Sequence, residues 1–383
     1  MDISVIVPLY RGGRYVKGIK ENIERNEKHL KENFGEDVRV ELIFINDFPE
    51  EHIIVDNDST LNCICFEHTQ NYGIHKSRVD GFNKSRGELI LFLDQDDAVS
   101  DDYLLNQIQV LCRKKADWVI CNGIFRSNRK IYNNDDDIKN VLDAEHYFGN
   151  LTEIISPGQV LLKKDIVPKE WCDTILTRNY CDDAFLWILL KDRNYKLVYN
   201  HVSAFFHNEN GKNTSFSWKN NVEALRELKE ILNRNDYIKS EHLVLFNETV
   251  ENEIFKQLIY GQLEDNYSLL TTRDIGNRIR DYLSDDKIII YGFGIWGRRL
   301  YKLFGKYSID VSWICDSKIQ GKIEDIVVIS PKELFSQLYD WDEYKVMIAA
   351  PTYEAGIRDE ICRIVSKKIK SISIGEFFDL LLK

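Results

Sequence analysis

Residues 88–104 read ELILFLDQDDAVSDDYL, in which a five-residue apolar run, Leu89–Leu93, ends on three carboxylates in four positions, Asp94, Asp96 and Asp97. A short apolar run bounded by charge is the pattern of a strand buried on both faces, as strands of a helix-covered parallel sheet are. Carboxylates gathered at the end of such a strand repel one another and lose hydration, so they call for a cation or for hydrogen-bond donors. A divalent ion fits, since Mg or Mn is held by one or two carboxylates together with substrate phosphates. The stretch also offers N-caps to a following helix. Asp97, Asp101 and Asp102 are assigned to that helix start, with metal-bound water as the alternative partner of Asp97.

The chain on either side supports the strand. ISVIVPLY (3–10), VELIFIND (40–47) and LNCICFEH (61–68) read as further strands, and residues 14–33 and 73–86 as helices between them. Strands alternating with helices imply an α/β fold with a mostly parallel central sheet flanked by helices. Ligands of such sheets sit at the carboxyl ends of the strands. Polar residues collect at those ends here: Tyr10 after the first, Asn46 and Asp47 after the second, Asp94 to Asp97 after the fourth. Downstream, 101–113 reads as helix, DWVICNG (117–123) as strand, the polar SNRKIYNNDDDIKN (127–140) as a mobile loop, DDAFLWILLKDR (182–193) as helix and YKLVYNHVSAFFHN (195–208) as strand. Residues 219–283, poor in Gly and Pro, read as one long helical connector. From 287 the alternation starts afresh, with KIIIYGFGIWGRRLYKLF, VSWICDS, EDIVVIS, KVMIAAP and KSISI, as a second, smaller α/β domain. The expected divisions are 1–220, 221–284 and 285–383.

At 383 residues, with 44% hydrophobic and 12% aromatic residues, the chain has material for two cores. A formal net charge of −11 argues against nucleic acid as a partner. The eight cysteines include no CxxC pair and the N-terminus lacks the pattern of a signal peptide, so they read as reduced core thiols of a cytoplasmic protein. No run reaches the roughly 18 apolar residues of a membrane span. The closing GEFFDLLLK is amphipathic and reads as a docked terminal helix, peripheral membrane contact being the alternative.

Four stretches together resemble the family 2 glycosyltransferases, which have the GT-A fold. SVIVPLYRGGRYVKGIKENIE is similar to the family's first strand, loop and helix; ELIFINDFPEE sits where the family carries two adjacent acids; NYGIHKSRVDGFNKSRGELILFLDQDD is similar to its segment ending in DxDD; and NYCDDAFLWILLK carries an acidic pair before an aromatic helix. The resemblance covers about residues 1–220. It implies a nucleotide pocket of Pro8, Tyr10, Asp47, Arg78 and Asp94, with Asp47 accepting from the base and Arg78 meeting the nucleotide or its diphosphate. Asn46 stands in place of the usual first acid, which loosens the expectation of strict UDP selectivity. Asp94 and Asp96 form the DxD, holding Mn or Mg, with His207 as a third ligand for metal or phosphate and Lys212 and Ser215 in the loop behind it. One of Asp182 and Asp183 would deprotonate the acceptor hydroxyl; Asp182 is preferred from its spacing to Trp187. Trp171 and Ser156–Gln159 fall where the family faces its acceptor.

The implied reaction is inverting, cation-dependent transfer of a sugar from a nucleotide diphosphate donor, UDP-sugar first, to a hydroxyl of a glycan, lipid-linked or protein-linked. Bacterial surface polysaccharide or glycoprotein assembly at the inner face of the membrane is the implied setting, and a homo-oligomer is left open. Separately, Gly292, Gly294 and Gly297 form GxGxxG between strand and helix, with Asp316 nineteen residues further on. That context is Rossmann-like and admits a second nucleotide site, for NAD or another nucleotide; a scaffold or partner-binding role is favoured over it. A nucleotidyltransferase and a non-catalytic nucleotide or sugar sensor are the competing classes.

Overall fold

A computed structural model describes the chain apart from residues 56–60, 127, 152, 209–216, 273–274, 284–285, 324, 339 and 366–368. The first strand, β1 (Asp2–Leu9), is followed by α1 (Gly13–Phe34), β2 (Arg39–Asn46), β3 (Asn62–Glu67), α2 (Ile74–Lys84), β4 (Leu89–Phe92), β5 (Ala98–Val99), α3 (Tyr103–Lys114) and β6 (Trp118–Phe125). Then come α4 (Asp135–Leu142), α5 (Ala144–Gly149), β7 (Val160–Lys163), α6 (Lys169–Asp173), α7 (Asp182–Asp192), β8 (Leu197–His207) and α8 (Trp218–Arg234). These strands make one eight-stranded sheet in the order β3-β2-β1-β4-β7-β6-β8-β5. β1 to β4 run parallel, Val5 lying opposite both Leu42 and Leu91, and β7 enters antiparallel against β4.

The period of two along each strand divides the core in two. Ile6, Ile43, Ile90 and Phe92 face a layer built from α2, α7 and α8. Val5, Val7, Leu42, Phe44 and Leu91 face α1 and α3. Pro8 lies past the last β1–β4 pair, Ile6 opposite Phe92, and β4's Leu93 amide already bonds the Ile6 carbonyl. Its missing N–H therefore falls where that ladder has ended. The carboxyl ends of β1, β2 and β4 thus lie side by side with their polar residues.

Three expectations change. The stretch 127–140 contains the start of α4, because the Asn134 side chain accepts the Asp137 amide and Asp135, Asp136 and Asp137 lie in the first turn, where the helix dipole favours them. The connector is three helices, α8, α9 (Ser240–Thr272) and α10 (Gly276–Leu283). They form no body of their own. Leu225, Leu228, Phe246, Val250 and Ile254 belong to the N-terminal core, while Leu263, Leu270, Ile279 and Leu283 belong to the C-terminal one. The chain accordingly divides into compact units 1–254 and 255–383. Of the cysteines, all eight free, Cys112 and Cys362 are exposed and not core thiols.

In the C-terminal unit, β9 (Lys287–Tyr291), α11 (Ile295–Lys306), β10 (Val311–Cys315), β11 (Gly321–Ile323), β12 (Ile326–Val328), α12 (Pro331–Gln337), β13 (Tyr344–Ile348), α13 (Glu354–Ile364), β14 (Lys370–Ser373) and α14 (Ile374–Leu382) follow in order. A four-stranded parallel sheet has the order β10-β9-β13-β14. Of the EDIVVIS segment, β12 pairs antiparallel with β11, and Ile329 after it bridges to Cys315 at the edge of the four-stranded sheet. Phe377, Phe378 and Leu381 bury α14 in the unit's core, the docked terminal helix expected. Among the described residues no helix is long and apolar enough to cross a membrane.

Candidate active site

The loop leaving β4 sorts its three acids. Asp97 is buried and turned inward: Oδ1 takes the Asn208 amide at 3.0 Å and faces His207 Nδ1 at 3.0 Å, and Oδ2 accepts from Ser156 Oγ at 3.0 Å. It does not cap α3, whose N-cap is Asp102 without a side-chain bond; Asp101 instead accepts from Asn22 and Arg25. Asp97 is therefore the post on which the loop and the end of β8 are fastened. Asp94 and Asp96 remain only partly buried. Burial pushes the Asp94 carboxyl above its usual range, even with the Arg78 guanidinium against it.

Arg78 is the centre of the cluster. It projects from α2, is buried, and donates one terminal nitrogen to Asp94 and the other to Asp182. Its Nε is buried without a hydrogen-bond partner. Its two terminal nitrogens are thus engaged by two carboxylates from different elements. α2 is located by Asn179, which accepts the Ile74 amide at 3.0 Å, and by His75, whose Nδ1 accepts the Leu176 amide at 2.9 Å beside Trp171. Burial keeps His75 below its ordinary range, so it is neutral.

The acidic pair opens α7, where the helix dipole favours negative charge. The two side chains have different surroundings. Asp182 is 2% exposed and bound by Arg78, and its carbonyl accepts from Trp171 Nε1 at 2.8 Å. Asp183 is half-buried, and its Oδ1 accepts only the adjacent Ala184 amide, at 2.8 Å, among the described hydrogen bonds. Burial first, and the Asp182 charge next, push its carboxyl up to about 7. Tyr180, two residues before the pair, has φ of 140°, a region that L-residues enter only under constraint.

At the neighbouring strand ends Pro8 is buried, and the Tyr10 ring is 44% exposed and edge-on to Phe48 at 5.3 Å. Arg11, at φ 52°, lays its guanidinium 4.8 Å from the Phe48 ring centre. Gln95, the middle residue of the DxD, holds both backbone groups of Tyr10, at 2.9 and 3.1 Å. Asp47 is buried and already engaged: it accepts the Tyr72 and Gly73 amides at 2.7 and 2.8 Å and faces His68 Nδ1 at 2.8 Å. The other face of His68 meets Asp80 at 3.0 Å, and the two carboxylates raise its pKa. Asp47 therefore shapes the Asn71–Gly73 turn. Asn46 bonds the Glu51 carbonyl and the Phe48 amide, fixing the same loop.

His207 stacks on Phe205 and directs Nδ1 at Asp97. Lys212 and Ser215 lie outside the described residues. Trp171 is fully buried, and Ser156–Gln159 form a buried turn in which Ser156 and Gln159 complete a capping box, so neither faces an acceptor as expected. Gln95, His68 and Tyr180 were not singled out by sequence; only the position of Gln95 inside the acidic loop could have signalled its part.

In the C-terminal unit two of the three GxGxxG glycines have a local structural reason. Gly292 has φ of 97°, and a Cβ on Gly297 would lie 2.0 Å from the Gly292 carbonyl oxygen. Gly294 has open space around it. Asp316 ties the loop by accepting the Phe293, Lys318 and Ile319 amides.

No group of three His, Cys, Asp or Glu side chains among the described residues gathers as a metal cluster. The donor set still fits a cation completed by a diphosphate, because Asp94 and Asp96 are two partly exposed carboxylates on one loop while Asp97 is committed elsewhere.

Residues 4–167 match the profile described as Glycosyl transferase family 2. A search of curated proteins finds no match. Among solved structures, S. aureus TarS 1-349 in complex with UDP-GlcNAc is 15% identical with TM-score 0.48, over 73% of this chain and 81% of that one. Mannosyltransferase PcManGT from Pyrobaculum calidifontis, in complex with GDP-Man and Mn2+, is 16% identical with TM-score 0.43, over 66% and 69%. The order of motifs, the sheet that brings their strand ends together and the profile match agree: residues 4–167 form a glycosyl transferase family 2 domain, and the protein is a glycosyltransferase of the GT-A fold.

Proposed function

We propose that this glycosyltransferase is inverting and cation-dependent, taking a sugar from a nucleotide diphosphate donor, UDP-sugar first, to a hydroxyl of a glycan acceptor. The observation that carries this is the single guanidinium of Arg78 joining Asp94 of the acidic loop to the acid pair of α7. Donor-side and acceptor-side carboxylates are thereby held within one side chain of each other. Asp94 and Asp96 are the residues that hold the cation in this reading, and Asp97 orients the imidazole of His207 at the end of β8. When bound there, a divalent cation stabilises the charge on the departing diphosphate.

Asp183 is the base of this reading, and Asp182 its ion-paired neighbour. The acceptor oxygen attacks the anomeric carbon as the bond to the diphosphate breaks, and the hydroxyl proton passes to Asp183. One displacement with one base inverts the anomeric centre. Tyr10, Phe48 and Pro8 form an apolar ledge suited to a nucleobase. The glycine loop of the C-terminal unit, its acid engaged by amides, supports a scaffold role over a second nucleotide site.

The test is turnover of a nucleotide-sugar panel by the purified protein with MnCl2. Asp96→Ala and Asp183→Asn are each expected to lower turnover about 100-fold or more. Asp183→Asn keeps the stabilisation of the protein by UDP with Mn, whereas Asp96→Ala loses it. Undiminished turnover in both variants would sink the assignment.

A further inference from the structure

We propose that Arg78 is a positioning residue that couples the two halves of the site, its one guanidinium being shared between Asp94, where donor and cation bind, and Asp182, beside the base. This rests on the function proposed above and adds a linkage within it. Among the described hydrogen bonds the guanidinium has those two partners alone, since its Nε is buried and unpartnered. Among the described residues no third acceptor holds it in place, so its charge can be redistributed between the two.

The side chains are also dry enough for that redistribution to matter. The Arg78 side chain is 4% exposed and that of Asp182 3%, while the Asp94 side chain, at 26%, opens towards solvent. Charges withdrawn from water interact more strongly than exposed ones. A cation that takes Asp94 competes with Arg78 for the same oxygens, and the guanidinium then falls more fully on Asp182. Asp182 adjoins Asp183 in the first turn of α7, so the acceptor side registers donor binding without any movement of the fold. Linkage is reciprocal. Whatever weakens the hold of Asp182 on Arg78 must strengthen Arg78 against the cation at Asp94.

A double-mutant cycle reads this by calorimetry, using MnCl2 with UDP or GDP, whichever binds the full-length protein more tightly. Asp182→Asn in the wild-type background is expected to weaken nucleotide–Mn binding about five- to tenfold, because Arg78 then concentrates on Asp94. In an Arg78→Gln background the same change should alter affinity less than about twofold. Should Arg78→Gln fail to fold, Arg78→Lys replaces it; a single ammonium lacks the fork that spans two carboxylates, and the coupling should drop below about threefold. Equal effects of Asp182→Asn in the wild-type and Arg78-variant backgrounds, or no effect in wild type, overturn the coupling while leaving the enzyme's function standing. Absence of nucleotide binding by the wild type overturns the reading of the site itself.

Discussion

Two adjacent aspartates, Asp182 and Asp183, show how far one residue's chemistry depends on what surrounds it. The first is spent on Arg78; the second is half-buried and holds its proton up to about 7. A base must be deprotonated to act, so turnover should rise with pH through about 7 and level above it. In Asp183→Asn the residual activity, about 100-fold lower or less, should lose that rise. Stability gives an independent check. An aspartate titrates near 3.9 in an unfolded chain, so between about pH 4 and 7 the folded state holds the extra proton, and this group's contribution to stability falls as pH rises. Denaturant midpoints of the Asn variant should decline less over that window than those of the wild type; parallel curves would contradict the assignment. Sequence alone exposed the acids, because charge at the end of an apolar run stands out, but not their different surroundings. The preference for Asp182 rested on spacing along a helix, and the spacing says nothing of which side chain an arginine 104 positions away will claim.

At the scale of elements, α2 carries Arg78 and its height over the sheet is set by one glycine. A Cβ on Gly81 would lie 2.3 Å from Ile6 Cγ2 of β1, so Gly81→Ala must lift the helix or displace the strand. Overpacking of this kind costs about 1–3 kcal/mol. Gly18, inside α1, meets nothing within 4 Å, so Gly18→Ala should stabilise by about 0.5–1 kcal/mol through helix propensity. Urea unfolding of the two variants checks both signs. The strands around this site were legible because each is apolar on both faces, and α1, α2 and α3 because their neighbours in sequence are strands. α4 was not, since its determinant is a cap: Asn134 and three acids look like loop until the dipole they serve is formed. Asp97 was misjudged for the converse reason, a capping residue by sequence that tertiary structure fastens to Ser156 and the end of β8.

For the whole molecule, the division into two units is written in which apolar residues share a core. The clusters of the first unit end at Ile254, and those of the second take their buried members from Leu263 onward, although α9 runs unbroken between. The sequence showed two alternating α/β regions but assigned the helices between them to a third body, because a helix's partners cannot be read from its composition. Cores without shared residues should fail separately. Gly297 is the sharpest place to ask, since any Cβ there meets the Gly292 carbonyl oxygen at 2.0 Å, backbone that has no rotamer to escape into. Gly297→Ala should destabilise residues 255–383 by about 2 kcal/mol or more. In hydrogen exchange read by mass spectrometry, peptides from β9, β10 and β13 should exchange faster. Those from β1, β2 and β4 should be unchanged, and binding of nucleotide with Mn should persist. Faster exchange in both sets would mean that the units unfold as one. If the loop of Gly292–Gly297 were itself the donor site, binding would be lost with it, so the same variant separates the two places in this chain where a nucleotide could be sought.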